Sequence, residues 1–302
     1  MAISRAQLAK ELEPGLNALF GLEFGRYENE HSEIFEEESS DRAFEEEVML
    51  GGFATAPVKS EGGAISFDDA QETYTARYTH ETIALAFSIT EEAIEDNLYD
   101  RLASRYTKAL ARSMATTKQI KAAAILNNAF STGANAIGDG AALCSSAHPS
   151  LSGNQRNLLS TAADLNETSL EQMLIDIAGF TDERGLKIAV RGTKLIIPKE
   201  LQFIAERVMN SNLRSGTADN DNNAMKNMGM LPEGASVNHF LTDTDAFFIK
   251  TDAPNGFKYF NRAAIKTAME GDFDTGNMRF KARERYSFGV SDWRCVFGTP
   301  GA

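Results

Sequence analysis

Three kinds of hydrophobic spacing divide the chain. Between 88 and 132, Leu98, Leu102, Tyr106, Ala109, Leu110, Met114, Thr117, Ile120 and Ala124 recur at steps of three and four, with no Gly or Pro in the span. That is the period of a helix buried along one face. Ser88-Ile89-Thr90-Glu91 fits a capping box, and Glu91, Glu92, Glu95 and Asp96 suit the positive end of a helix dipole. Gly133 is the first stop signal. A helix over most of this span would reach about 60 Å, twice the width of a small domain. Irregular heptads and many alanines favour a spine across an elongated protein over a coiled coil.

Alternating runs come next. Residues 48–56 and 64–87 are rich in Thr, Tyr, Ile and Phe, as strands prefer. They flank Ala56–Gly63 and predict one long two-stranded hairpin, with a connection too long for a tight turn. AFFIKTDAPNGFKYF predicts a hairpin closing at Asn255-Gly256, and AAIKTAME with MRFKARERYSFGV predicts a second hairpin with a longer tip. LKIAV and KLIIP read as strands. Shorter helical periods lie at 166–183, capped by Asn166 or Thr168 and stopped at Gly185, and after Pro198. Residues 3–20 look weakly helical and broken at Pro14-Gly15; 133–160 and 211–230 read as loops.

Charge changes this picture in two places. Residues 28–47 hold ten acids and one arginine, which predicts an exposed, partly extended segment anchored by Ile34, Phe35 and Phe44. In MRFKARERYSF, Arg279, Lys281, Arg283 and Arg285 alternate with Phe280, Ala282, Glu284 and Tyr286. Period two puts four cations on one strand face. The strip reads either as the solvated face of a half-buried sheet or as a dock for a carboxylate-rich segment. The 28–47 run, from this chain or a second copy, is the candidate occupant.

The 302 residues suffice for roughly two or three sub-domains. A net charge of −13 disfavours specific reading of DNA or RNA. No apolar run spans a bilayer, and MAISRAQLAKEL lacks a signal-peptide core. Two cysteines, Cys144 and Cys295, make no disulfide framework and point to a reducing compartment.

Catalytic and ligand motifs are weak. GGFATAPVKSEGGAISFDD (51–69) fails as a phosphate loop, because Pro57-Val58 precede Lys59-Ser60 and no helix pattern follows. Cys144 and His148 could in principle form a nucleophilic pair, but His31, His80 and His239 stand isolated and complete no metal set. Asp219, Asp221 and Asn223 start like a calcium loop that breaks at Ala224 and Met230. No cofactor or metal is expected.

The order of elements, with AHPSLSGNQRNLLSTAADLNETSLEQMLIDIAGFTDERGLKI (147–188), KLIIPKELQFIAERVM (194–209), TDAPNGFKYF (251–260) and MEGDFDTGNMRFKARERYSFGVSDWR (269–294), resembles the major capsid proteins of tailed bacteriophages. The likeness is strongest to the major head subunit of Mu-like phages and covers most of 88–302. It implies an α+β Hong Kong 97-type capsid fold. Residues 1–47 would be an N-terminal arm and 48–87 an extended β-hairpin loop over a neighbouring subunit. Residues 88–159 and 263–290 would form a peripheral domain, and 160–262 with 291–302 an axial domain. Copies would build hexamers and pentamers, then an icosahedral shell around double-stranded DNA contacted non-specifically. Portal, scaffolding and decoration proteins would be partners. The shell would be the virion wall, assembled in the host bacterial cytoplasm. An encapsulin-like shell of the same fold and a soluble Cys/His enzyme are the alternatives.

On that resemblance the assembly residues are Gly51, Gly52, Pro57, Lys59, Gly62 and Gly63 on the loop, Asp272, Asp274 and Asn277 at the last hairpin tip, and the four cations Arg279, Lys281, Arg283 and Arg285. The glycines let the loop re-aim, and Pro57 blunts a free edge. Some family members join a loop lysine to a neighbour's asparagine. Lys59 and Asn277 are the matching residues here, a plain surface lysine being the alternative. Such a bond also needs a buried carboxylate as base. Reversing Arg283 and Arg285 to Glu is expected to block assembly; normal particles from that variant, seen by electron microscopy, would refute the docking role of the strip.

Overall fold

The computed structural model describes residues 5–90, 92–93, 99–132, 137–214, 221–272 and 275–302. The long apolar period becomes helix α2, Tyr99–Asn127, about 43 Å long. The predicted cap is misplaced. Ser88 and Ile89 end strand β4 (Glu81–Ile89), with Ser88 opposite Arg279. Thr90 Oγ1 is the oxygen that accepts a backbone N–H, from Ala93 at 3.4 Å. The helix also stops at Asn127, before Gly133, which lies outside the described residues.

Helix α1 (Arg5–Phe24) runs through Pro14 without breaking. Proline inside a helix costs about 3 kcal/mol. Beyond it, Leu16 and Phe20 are buried against Leu110, Ala111 and Met114 of α2. At roughly 2 kcal/mol for each large side chain, that burial outweighs the loss.

The acidic run is largely exposed and partly extended, as expected, anchored by Ile34 and Phe35 but not by Phe44, which is itself exposed. It folds as a single 3-10 turn (Glu30–Glu33), strand β1 (Glu36–Ser39) and strand β2 (Phe44–Leu50). Ile34 and Phe35 are buried, and the Phe35 ring meets Phe257 and Phe288 edge-on. The final hairpin forms as the sequence predicts, from β8 (Phe257–Gly271) and β9 (Met278–Val290). One four-stranded sheet has the order β1-β8-β9-β4, with β1 parallel to β8.

The predicted long hairpin is split. β2 pairs with β3 (Glu72–Thr79) as a two-stranded ribbon. The chain turns at His80, and β4 joins the larger sheet. Residues 51–71 have no regular structure, so AISF is not a strand and Pro57 guards no edge here.

A second sheet has the order β10-β7-β5-β6, from β5 (Gly192–Ile197), β6 (Ala235–Val237), β7 (Phe247–Thr251) and β10 (Val296–Thr299). Helix α3 (Glu167–Ala178) starts at an Asn166–Ser169 capping box and ends at Gly179, not Gly185. LKIAV makes only an isolated bridge, Thr181 to Lys187, and Ala189 at φ 52° interrupts extension. Helices α4 (Gln202–Asn210) and α5 (Ala224–Met228) follow. No hairpin closes at Asn255-Gly256. β5 and β10 already occupy both edges of β7, so the left-handed Asn255 (φ 56°) steers the chain from this sheet to the other.

Among the described residues, two large apolar cores and a small cluster of Ala76, Tyr78 and Phe260 result. One gathers Leu16, Phe20, Leu110, Met114 and Phe280. The other gathers Leu126, Leu195, Phe247, Phe257 and Trp293. Among the described residues, only α2 and the β8–β9 hairpin supply side chains buried in both. Where the cores meet, Lys118 of α2 pairs with Glu284 of β9 at 2.7 Å. The Lys118 ammonium lies 5.2 to 5.8 Å from the Phe24, Tyr259 and Tyr286 ring centres. Burial pushes the Glu284 carboxyl up, and the Lys118 charge opposes that shift.

A polar knot closes the second core. The Asn157 amide donates to the Leu143, Trp293 and Val296 carbonyls, and its oxygen accepts from the Ser145 N–H and faces His148 Nε2. His148 is fully buried, 2.7 Å from Asp139, and stacked 4.4 Å from the Trp293 ring. Arg294 covers Trp293 and pairs with Glu183 and Asp292. Asn157→Ala would strand several buried polar groups and should cost about 3 kcal/mol or more, measured by urea denaturation of the monomer; a loss below about 1 kcal/mol would show that the knot is dispensable.

Candidate functional site

The surface that matters is built where the ribbon leaves the body. β1 and β2 approach through Ser40, and β3 and β4 separate at His80. Ser40 Oγ donates to Glu45 Oε1 at 2.7 Å, so it accepts from His80 Nε2 at 3.0 Å. That fixes the neutral ring with its proton on Nε2. Nδ1 then accepts from the Ser287 hydroxyl of β9 at 3.0 Å. One imidazole therefore ties both legs of the ribbon to the sheet. Burial holds His80 below the ordinary histidine value, and Arg285 and Arg262 add to that while Glu45 opposes it.

A second clamp lies deeper. Lys258 of β8 reaches Glu38 of β1 at 2.7 Å and Glu47 of β2 at 2.6 Å. Burial lowers its ammonium, and the two carboxylates more than offset that, leaving it above its usual value. Glu47 also accepts from the Ser291 hydroxyl, which meets the Tyr78 hydroxyl. Gly289 lies so close under the Tyr78 ring that an added Cβ would approach it to 2.5 Å. The acids of the arm are thus largely engaged within the chain. Glu30 holds His239 at 2.7 Å, Glu33 lies 3.6 Å from Lys194, and Glu46 lies 3.7 Å from Arg77.

From this root the 51–71 loop projects. Gly51 is buried at the base, its N–H bonded to Gln71 O at 2.7 Å. Gly52 (φ 58°) and Gly62 (φ 77°) take left-handed backbone, so these two need glycine, whereas Gly51 and Gly63 do not on that ground. Asp68, held below the usual carboxylate range chiefly by the Ala54 N–H, pairs with Arg184 at 3.4 Å. Beyond these ties the loop is bare. Pro57 and Lys59 are exposed, as are Phe53, Val58, Ile65 and Phe67.

The four cations of β9 part company. Arg279, Lys281 and Arg283 are exposed on the outer face of the sheet, opposite α2, while Arg285 is half-buried beside His80. Arg279 pairs with Asp272 at the hairpin tip, where the Asp272 N–H also bonds Asn277 O at 2.8 Å. Asp274 lies outside the described residues. Among the described residues no 28–47 carboxylate pairs with this strip, so the docking of those two segments within one chain is not what forms. Nor do Lys59 and Asn277 meet within the chain.

The enzyme alternative finds no support in the side chains it needs. Cys144 is buried, and burial pushes its thiol far up. His148 is spent on Asp139 and Asn157. Asn223 caps α5 instead of binding calcium; Asp219 lies outside the described residues. No His/Cys/Asp/Glu group suits a metal, and no helix is long and apolar enough to cross a membrane, among the described residues. Sequence reading missed His80, Lys258 and the Lys118–Glu284 pair. The one available signal was His80 itself, a polar break inside an otherwise continuous strand pattern.

A family model described as phage capsid protein matches residues 73–298. The chain belongs to that family, whose members are structural, shell-forming proteins. No curated protein sequence matches it. Among solved structures, the capsid of the cyanophage P-SCSP1u superposes with a TM-score of 0.57 at 12% identity, over 89% of this chain and 86% of that one. The capsid of a native GTA particle gives 0.56 at 12% identity, over 92% and 91%. A virus-like particle from Pyrococcus furiosus gives 0.54 at 10% identity, over 94% and 97%. At such identities the likeness is one of fold. It covers a phage capsid and a virus-like particle alike, and the family match favours the former.

The His80 bridge carries a pH prediction. The docked ring binds a proton less readily than the free one, so the bridge is intact at pH 7.5 and weakens as pH falls below about 6.5. Hydrogen exchange across 44–79 should speed up at pH 5 relative to the β8–β9 core, and His80→Gln should remove most of that difference. Equal protection at both pH values would refute it.

Proposed function

We propose that this protein is the major capsid subunit of a tailed phage with the Hong Kong 97-type fold, resembling the head subunits of Mu-like phages. Copies form hexamers and pentamers that close into an icosahedral shell around double-stranded DNA. Residues 1–47 act as the arm and 48–87 as the extended loop. Residues 88–159 and 263–290 form the peripheral domain; 160–262 and 291–302 form the axial domain. Shells assemble in the bacterial cytoplasm with portal and scaffolding partners.

One observation carries this reading. A ribbon is firmly rooted by His80 and Lys258, yet its far end presents four large apolar side chains to solvent. A monomeric enzyme gains nothing from such an arm. A subunit that must overlap its neighbours does, since each contact in a ring joins unlike surfaces. The net charge of −13 suits a wall that must not grip packed DNA. The loop glycines and Pro57, with Asp272, Asp274 and Asn277 at the tip and the β9 cations, serve the contacts between subunits.

Electron microscopy of purified protein should show closed shells, and particles from lysed hosts should contain genome-length DNA. Shells holding only protein would favour the encapsulin-like alternative; small oligomers alone would overturn both. Denaturing gels of mature shells should show single monomer bands. Asp272, the described carboxylate beside Asn277, is engaged by Arg279 and Thr275 and is not free to act as base. A ladder of covalent oligomers would instead establish the Lys59–Asn277 bond.

A further inference from the structure

The base of the 51–71 loop is gripped by a part of the chain far from the ribbon. The turn 181–187 packs on the second sheet through Phe180, whose ring stacks on Phe297 of β10. It is fixed from within and from below. Asp182 Oδ1 accepts the Arg184 and Leu186 N–H groups, both at 2.8 Å, and Gly185 (φ 84°) makes the reversal. Underneath, the Arg294 guanidinium donates to Thr181 O at 2.8 Å and to Glu183 Oε1 at 2.9 Å. Gln155 and the Ser152 N–H bond the main chain of the turn from a third segment. Glu183 is thus spent on the knot around Trp293, and the next side chain, Arg184, reaches the loop.

Three segments meet at that guanidinium. Its Nη2 donates to Asp69 O at 2.6 Å, and its Nη1 lies 3.4 and 3.5 Å from the two Asp68 oxygens. Asp68 Oδ2 in turn accepts the Ala54 N–H at 2.7 Å, from the opposite leg. Outgoing leg, returning leg and body are therefore joined at one point. Beyond it, from 55 to 67, the internal main-chain bond is the Ser60–Gly63 turn.

The other end of the ribbon is fastened to the other sheet, by His80 and Lys258. β3 is eight residues long, so the two anchors stand about 25 Å apart along it. A two-stranded ribbon is marginal by itself, and held at one end it would swing. Held at both ends, on two different sheets, it has one direction.

We propose that Arg184 is the positioning residue of the loop, and that its clamp on Asp68, Asp69 and, through Asp68, Ala54 sets the direction in which residues 55–67 leave the subunit before any neighbour arrives. This rests on the shell reading above and deepens it. A segment already aimed has less freedom to lose on association. A lone exposed ion pair would be too weak for the task. This one is shared: the guanidinium holds a carboxylate and a carbonyl, and the same carboxylate holds the second leg.

The test reads the aim directly. Spin labels at Val58→Cys and Ile175→Cys sit on exposed positions of the loop and of α3, and the native cysteines are buried. Free subunits should give one narrow distance distribution between the labels. Arg184→Gln should broaden it, leave the urea midpoint unchanged, and slow shell formation by the unlabelled protein at least about tenfold. Arg184→Lys, which keeps the charge and one contact, should recover part of both. Asp68→Ala reports the same loss from the loop side should Arg184→Gln fail to fold. An unchanged distribution in both Arg184→Gln and Asp68→Ala would overturn the clamp. A broadened distribution with unchanged or faster assembly would overturn the aiming role, and in either case normal wild-type shells would leave the shell reading intact. Absence of any shells from wild-type protein would overturn both.

Discussion

One ion pair decides how the two halves of this protein meet. Lys118 and Glu284 face each other where the apolar cores join, on the two elements that run through both. A buried pair of this kind is weak evidence of net stability, because desolvating both charges offsets most of their attraction. Its effect is on register. Sliding α2 by one turn, about 5.4 Å, against β9 would separate the two charges and leave each buried without its partner. Apolar contacts between Ala, Leu and Phe tolerate such slips; a charge with one partner does not. The sheet, the arm under it and the ribbon hinged on it all inherit their positions from that alignment.

The ribbon root follows the same logic with more partners. Lys258 needs Glu38 from the arm and Glu47 from the ribbon, and His80 needs Ser40 and Ser287. Each cation or ring gathers acceptors from segments far apart in sequence. The acidic run, exposed for most of its length, also supplies those acceptors. Among the described residues, the exposed charges with no ion pair on this side of the molecule include Lys59 and Glu61 of the loop and Lys281 and Arg283 of β9, while Arg279 is held by Asp272.

Much of the fold was legible because periodicity reports burial. The long helix, the β8–β9 hairpin, the capping box at Asn166 and the alternation of Arg279, Lys281 and Arg283 all follow from local pattern. The errors in the sheets share one cause: the pattern says that a segment is extended, but not which strand it pairs with. Residues 64–87 read as one strand, because His80, the single polar break in that pattern, does not by itself show that pairing passes from β2 to β9 there. Asn255-Gly256 has the chemistry of a hairpin turn, and only the prior occupation of both β7 edges makes it a crossover. Pro14 was overruled by burial of Leu16 and Phe20. The candidate surface was legible as charge and glycine, whereas the residues that root it are buried polar groups whose partners lie up to two hundred positions away. Solved capsid structures that share this fold at 10 to 12% identity make the same point, since few particular residues are needed to write the pattern.

The parallel pairing of β1 with β8 has a consequence for the timing of synthesis. Glu36 lies opposite Lys258, so the first strand made waits for one of the last. Chains emerge from the ribosome amino end first. Until the final hairpin is complete, Ile34 and Phe35 have no pocket and the ribbon has no fixed root. The arm and the ribbon root therefore take their final places only after β8 and β9 have been translated. Contacts that depend on this root thus form late in the folding of the chain.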